Sequence, residues 1–454
     1  MFEKVLVANR GEIAVRVMRS LKELGIRTVA VCSDADRASR HVEIADETVP
    51  IGPAPSAQSY LKSEAILAAA VQTAADAIHP GYGFLSESSE LAGACEARGL
   101  TFIGPTPANL EQVGNKLGAR RAMAAAGIPV IPGSPEALVG LDVARRVCQG
   151  LGYPVMLKAA AGGGGRGMRV LPDEAALVEE FGAAQAEARA GFGDPTLYAE
   201  RLLEAARHVE VQVLGDGRGN GVHLFERNCS VQRRHQKMLE EAPSPGLPPD
   251  VAAELHRTAV DVIRTLKYRN AGTVEFLVDR ENRFYFMEVN ARIQVEHPVT
   301  EAITGIDLIK AQVHVAAHGR LPFTQDAVEA RGHALECRIN AEDPDRDFLP
   351  QPGTINRLRV PGGFGVRLDT HVYEGYAIPL YYDSLLGKLV THGRDRDEAI
   401  AIMARALEEL DLTPIHTTAP FLRRLLDADS FRAGTYTLDL IPRLVPQSEE
   451  DEEA

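Results

Sequence analysis

The segment from Phe284 to Glu296 restricts the possible folds more than any other part of the chain. Phe284-Tyr285-Phe286-Met287 is apolar on both faces, as in a strand covered from two sides. Beyond it one parity turns polar: Glu288, Asn290, Arg292, Gln294 and Glu296. Side chains at i, i+2 and i+4 share a face of an extended chain. Continued extension would therefore line one wall with two metal-type oxygen donors, a guanidinium, an amide and a carboxylate. Burying such groups unpaired costs on the order of several kcal/mol each. A fold that contains this strand must supply partners, and a hard cation together with an anionic substrate would do so.

The 454 residues suffice for about three domains at roughly 100–200 residues each. With 45% hydrophobic and 25% charged residues, the composition is that of a soluble globular protein. The net charge of −14 argues against a nucleic-acid partner. Part of it lies in Glu449, Glu450, Asp451, Glu452 and Glu453, expected to form an acidic, solvating tail over 447–454. In so acidic a chain an anionic substrate needs a local basic cluster. Gln232-Arg233-Arg234-His235-Gln236-Lys237 offers one, with His235 and Lys237 on one face if extended, although such a run also suits a solvated surface. Five widely spaced cysteines without a CxxC pair fit reduced thiols and no zinc site. No signal-peptide pattern and no apolar run of roughly 20 residues is found, so a cytoplasmic protein without a membrane segment is expected.

Along the first hundred residues strand and helix patterns alternate. Lys4–Ala8, Thr28–Val31, Ala77-Ile78 and Thr101–Ile103 read as strands, Glu12–Leu24 and Ser63–Thr73 as helices. This predicts a mainly parallel α/β sheet. Asn9-Arg10-Gly11 lacks the GxGxxG spacing of a dinucleotide site. Lys116–Ala126 reads as a helix stopped by Gly127. Tyr153–Lys158 is a strand that runs into Gly162-Gly163-Gly164-Gly165-Arg166-Gly167, and from about residue 204 the pattern is α+β. The glycine run suits backbone amides that approach an anion, a loop that moves, or a plain surface turn. Lys158 at its base favours phosphate. Glu275 interrupts the apolar Thr273–Val278. It has two readings: a carboxylate paired to a core arginine or, with Glu288 and Asn290, an oxygen site for Mg²⁺ that leaves places for phosphate oxygens. Strand alternation groups Glu336, Arg338 and Asn340.

Six stretches together resemble the biotin carboxylase family, the ATP-grasp subunit of acetyl-CoA carboxylase and its counterparts in pyruvate and propionyl-CoA carboxylases. They are Val7–Ala14, His79–Glu87 (HPGYGFLSE), Gly162–Met168, Arg233–Lys237, Arg292–Thr300 (RIQVEHPVT) and Glu336–Asp343 (ECRINAED). The resemblance implies an α/β and α+β protein with the ATP-grasp fold. It would comprise an N-terminal Rossmann-like pre-ATP-grasp domain (1–114), a helical linker (115–129), a glycine-rich lid (130–203), and the ATP-grasp base with the biotin carboxylase C-terminal domain (204–446). It implies ATP contacts from Lys116, Lys158, Gly164, Gly165, Glu200, Arg201, Leu203, His208, Gln232, His235, Glu275 and Glu288. Glu275, Glu288 and Asn290 would hold two Mg²⁺ or Mn²⁺ ions. Lys237, Arg292, Gln294 and the Val295 backbone would bind bicarbonate, Glu296 would be the base, and Tyr82 and Arg338 would meet biotin. Catalysis would fall to Lys237, Arg292, Glu296 and Arg338.

Arg201 stands where many members have lysine, and Ala291 where threonine is common. Absence of an Ala-Met-Lys-Met motif leads to the expectation that biotin arrives on a separate carrier protein, with carboxyltransferase subunits as further partners. Arg19, Glu23, Phe364 and Arg367 match the positions of the family's homodimer interface. Fatty acid synthesis through malonyl-CoA is the implied role. Two alternatives are the biotin carboxylase subunit of a pyruvate or propionyl-CoA carboxylase and another ATP-grasp ligase with an acyl-phosphate intermediate.

Overall fold

A computed structural model of the chain describes residues 1–160 and 168–445. Gly164, Gly165 and the acidic run at 447–454 lie outside the described residues.

The first sheet is parallel. β1 (Lys4–Val7), β2 (Arg27–Ser33), β3 (Glu47–Gly52), β4 (Ala77–His79) and β5 (Thr101–Phe102) lie in the order β3-β2-β1-β4-β5. Val5, Leu6 and Val7 are fully buried because helices cover both faces. The helix Gly11–Glu23 follows β1 directly, so Asn9 and Arg10 sit at the strand's carboxyl end. Asn9 Nδ2 donates to the carbonyls of Pro80 and Tyr82, 2.7 Å each, which ties down the loop carrying Tyr82. Gly25, at φ 73°, ends the helix in the left-handed conformation that costs glycine least.

A small antiparallel sheet follows: β6 (Val155–Ala159) between β7 (Met168–Leu171) and β8 (Leu197–Arg201). It buries Leu157, Leu171 and Leu197 under the helices Leu141–Leu151 and Glu174–Phe192, whose Leu177 is also buried, in an apolar cluster of its own.

The largest sheet has eight antiparallel strands in the order β13-β12-β9-β10-β11-β14-β20-β18. These are β9 (Arg207–Asp216), β10 (Gly221–Arg233), β11 (Gln236–Ala242), β12 (Arg269–Val278), β13 (Phe284–Asn290), β14 (His333–Asn340), β18 (Val366–Thr370) and β20 (Leu385–Gly393). Two short ribbons, β15 (Glu342–Asp343) with β16 (Leu349–Pro350) and β17 (Gly353–Thr354) with β19 (Ala377–Ile378), border it. One face packs on the helix Arg396–Glu409 through Leu335, Cys337 and Leu389. All five cysteines are free and buried.

Two sequence expectations need correction. The polar wall is not one long strand: β13 ends at Asn290, and the chain turns before the helix His297–Thr304. The Ala291 N–H donates to Glu87 Oε1 at 3.0 Å instead of continuing a ladder, and Pro298 opens the helix. The basic run is not extended either. Arg234 (φ 47°) and His235 (φ 63°) form the turn joining β10 to β11, with Arg233 facing Gln236. Arg233 and Arg234 reach Asp347 at 2.5 and 3.2 Å, and Lys237 points into the sheet's polar face.

Candidate active site

Sheet register sets three glutamates in a row. Glu275 on β12 lies opposite both Glu210 on β9 and Glu288 on β13. Directly opposed like charges destabilise a sheet, so cations must intervene. Lys237 reaches across from β11: its Nζ lies 2.6 Å from Glu210, 3.1 Å from Glu275 and 2.6 Å from Glu296. Lys116, at the start of the helix Lys116–Ala125, meets Glu288 at 2.6 Å. Burial opposes the charge on Lys237, but its anionic neighbours win and hold it well above the ordinary lysine range. His208 Nε2 lies 3.2 Å from Glu275, and Gln232 Nε2 is 2.7 Å from His208 Nδ1. Burial would raise the Glu275 carboxyl; Lys237 and His208 instead hold it well below the usual range.

Glu296 is fully buried at the head of the helix His297–Thr304. Lys237 and Arg338 grip it from two sides, the latter at 2.9 Å. Against burial, these cations and Arg227 keep its carboxyl well below the ordinary range. Arg338 Nε also donates to Glu240 Oε1 at 2.6 Å, so its carboxylate partners are Glu240 and Glu296, not its strand neighbour Glu336. Arg292 spans Glu87 at 3.1 Å, Gln294 at 2.7 Å and Asn290 at 3.3 Å. Gln294 turns back towards Glu275 at 3.4 Å. The Val295 carbonyl accepts from Lys388 at 2.8 Å. Lys388 also pairs with Glu12 at 3.2 Å, and Glu12 accepts from the Tyr82 hydroxyl.

On the small sheet Lys158 pairs with Glu200 at 2.5 Å, and Arg120 stands 3.3 Å from Glu200. Burial lowers the His235 pKa, and the nearby charge of Lys158 adds to this. Arg201 is exposed and donates to the Leu151 carbonyl at 3.1 Å. Arg201 and Leu203 line a cleft of about 410 Å³, with Pro132, Pro154, Asp279 and Tyr285. The cleft does not include the glutamate row.

The structure thus gathers Lys116, His208, Gln232, Lys237, Glu275, Glu288, Asn290, Arg292, Gln294, Glu296 and Arg338 at one polar face. Glu210, Arg227, Glu87, Glu240 and Lys388 belong to the same face and were missed. Arg227 is fully buried and holds Glu210 at 2.7 Å. A signal existed for Glu210: His208, Glu210 and Gln212 repeat the polar parity in an otherwise apolar strand. Lys388, alone in Leu385–Val390, resembles the Glu275 case.

Known proteins fit the same frame. Residues 1–110 match the family model "Biotin carboxylase, N-terminal domain", and 336–443 match "Biotin carboxylase C-terminal domain". Residues 115–324 match "Carbamoyl-phosphate synthase L chain, ATP binding domain". The biotin carboxylase of Haemophilus influenzae is 50% identical over 451 residues, covering 99% of this chain and 100% of that protein. The chain belongs to the biotin carboxylase family.

Solved biotin carboxylases superpose closely. The Campylobacter jejuni biotin carboxylase–β-γ-ATP complex gives a TM-score of 0.95 at 45% identity, covering 98% of this chain and 99% of that one. The biotin carboxylase domain of Hydrogenobacter thermophilus 2-oxoglutarate carboxylase, a dimer with MgADP, ADP and bicarbonate, gives 0.94 at 45% identity, covering 98% of each chain. The α/β and α+β architecture with an ATP-grasp domain is therefore that of a biotin carboxylase, an ATP-dependent ligase. Among the described residues no helix is long and apolar enough to cross a membrane.

Proposed function

We propose that the chain carboxylates biotin on a separate carrier protein with ATP and bicarbonate, through carboxyphosphate, at the cluster around Glu296. The observation that carries this reading is a fully buried carboxylate held by Lys237 at 2.6 Å and Arg338 at 2.9 Å. Such a group stays ionised and is a weak base until a substrate takes up part of the cationic charge that holds it. Bicarbonate bound by Arg292, Lys237, Gln294 and the Val295 backbone would draw on the Lys237 charge. That would raise the proton affinity of Glu296 towards the range useful for a base. The deprotonated bicarbonate attacks the γ-phosphate of ATP, giving carboxyphosphate and ADP. Carboxyphosphate yields CO₂ and phosphate, the phosphate takes the proton from the biotin N1′, and the N1′ anion adds to the CO₂ carbon to give carboxybiotin. Arg338, released in part as Glu296 is protonated, steadies the ureido oxygen, with Tyr82 beside it.

Glu275, Glu288 and Asn290 offer the oxygen donors that suit Mg²⁺ or Mn²⁺, and opposed carboxylates call for added positive charge. The cations, two in this reading, would spread the phosphate charge during in-line transfer. Lys116, Lys158, His208, Gln232 and His235 face the phosphate and ribose, and Glu200, Arg201 and Leu203 the base. Gly164 and Gly165 are assigned to the lid over the phosphates, in a division at residues 114, 129 and 203. A closed lid keeps water from carboxyphosphate.

We assign the chain to acetyl-CoA carboxylase, with carboxyltransferase subunits and a homodimer through Arg19, Glu23, Phe364 and Arg367. Phe364 is 97% exposed, which favours a covered role in an assembly. The alternative, a subunit of another biotin-dependent carboxylase, is favoured by the 2-oxoglutarate carboxylase relative. ADP release should require bicarbonate and rise with free biotin; release indifferent to both would refute the half-reaction. Malonyl-CoA formed only with an acetyl-CoA-specific transferase would support the assignment. Transfer to pyruvate or 2-oxoglutarate alone would favour the alternative.

A further inference from the structure

The geometry points to one proton shared between Glu240 and Glu336 that keeps Arg338 available to the biotin side, making both glutamates positioning residues for carboxyl transfer. This rests on the reading of Arg338 given above. Glu240 on β11 lies directly opposite Glu336 on β14, and both are fully buried. Glu240 Oε1 takes the Arg338 guanidinium, but its Oε2 and both Glu336 oxygens have no hydrogen-bond partner. The cations nearby are spoken for. Lys237 serves Glu210, Glu275 and Glu296, and Lys388 serves Glu12 and the Val295 carbonyl. Lys388 and Lys237 act on the pair only through space, and Arg338 is the one cation that hydrogen-bonds it. Two opposed carboxylates in so dry a place cannot both ionise, as in dyads that hold one proton between them. Burial pushes Glu336 well above the ordinary range and Glu240 up to about 7. The groups facing the pair are Lys237 on its own strand, Arg338 and Cys337 on β14, Lys388 on β20, Cys229 on β10 and Glu296 at the helix head.

With the proton present, one negative charge lies behind Arg338, and the guanidinium is divided between Glu240 and Glu296. When rising pH removes the proton to solvent, two charges lie there. Arg338 is then drawn back onto Glu240 and away from the ureido oxygen. Bicarbonate activation, which runs through Lys237, Arg292 and Glu296, is touched less, because Lys237 still holds Glu296 when Arg338 is drawn back.

Glu336→Gln tests it, because the amide has the shape of the protonated acid and cannot ionise. At a pH where wild type is fully active, the variant should carboxylate biotin within about twofold of it. The alkaline fall in kcat/KM for biotin should move up by about one pH unit or more, while the profile of bicarbonate-dependent ATP cleavage without biotin moves clearly less. An alkaline limb that does not move, or an equal shift in both reactions, overturns the proposal. Should E336Q fail to fold, the infrared carbonyl band of a protonated carboxylic acid in wild type decides. A band that fades on alkaline titration together with kcat/KM for biotin supports the pair. No such band, or one that fades without a change in rate, overturns it. If wild type carboxylates no biotin at all, the functional reading fails first; if it does and the limb stays put, only this inference fails.

Discussion

Two buried networks of cation and carboxylate differ in one respect, their balance. In the parallel sheet Arg10 meets Asp36 with two hydrogen bonds, at 2.8 and 2.9 Å. Tyr60 and Ser39 donate to the same carboxylate at 2.6 and 2.8 Å, and the guanidinium lies over the Tyr382 ring. One cation answers one anion, and every oxygen is satisfied. In the antiparallel sheet Lys237 is divided among three carboxylates and Arg338 between two, while Glu336 has none. The balanced network holds loops in place. The unbalanced one is complete only when further charge arrives, as substrate or metal cation. Perturbed groups thus mark a functional site where their partners are over-committed, not merely where a salt bridge is buried.

The largest break in this contrast should come from Glu296→Gln. Its kcat should fall by about 10²–10⁴ with ATP affinity kept, as seen by steady-state kinetics and nucleotide titration. An unchanged kcat would remove the base assignment.

The balanced network should answer in stability instead. Asp36→Ala leaves Arg10 buried and unpaired and should cost about 3–5 kcal/mol in denaturant unfolding, with kcat of the folded protein unaltered. Arg10 holds the Asp36 carboxyl down at about 2 despite burial. Its contribution is therefore present above the unfolded value, about 4, and is lost as pH falls through about 2. The stability gap between wild type and Asp36→Ala should narrow over that window, and a gap constant with pH would contradict the ion-pair account.

Arg338→Ala should reduce biotin carboxylation by about 10² and leave bicarbonate-dependent ATP cleavage within a few fold; equal losses would contradict its place on the biotin side. The smallest effect belongs to Glu87→Gln, which keeps the shape while weakening the hold on Arg292. A rise in KM for bicarbonate of about threefold to tenfold, on the order of 1 kcal/mol, is expected, and no change would make Glu87 a bystander.

Much of this was legible from the chain. Apolar runs and their glycine stops gave the parallel sheet, polar parity pointed to Glu288 and Asn290, and a lone carboxylate in an apolar strand pointed to Glu275. Extension would set Arg292, Gln294 and Glu296 on one strand face, but a turn carries them, and of the three it is Glu296 that meets Lys237. Partners set by register between distant strands, such as Glu240 beside Glu336, leave no trace in local spacing. The Arg234-His235 turn was hidden too, since neither residue is a usual choice for positive φ.

The central claim is that the crowded polar face around Glu296 activates bicarbonate for transfer to biotin. Radiolabelled bicarbonate, free biotin and magnesium ATP, supplied to wild type and Glu296→Gln at saturating nucleotide, test it most directly. Labelled carboxybiotin should form with wild type and be nearly absent with the variant although it binds ATP. Equal labelling by both proteins would contradict the account.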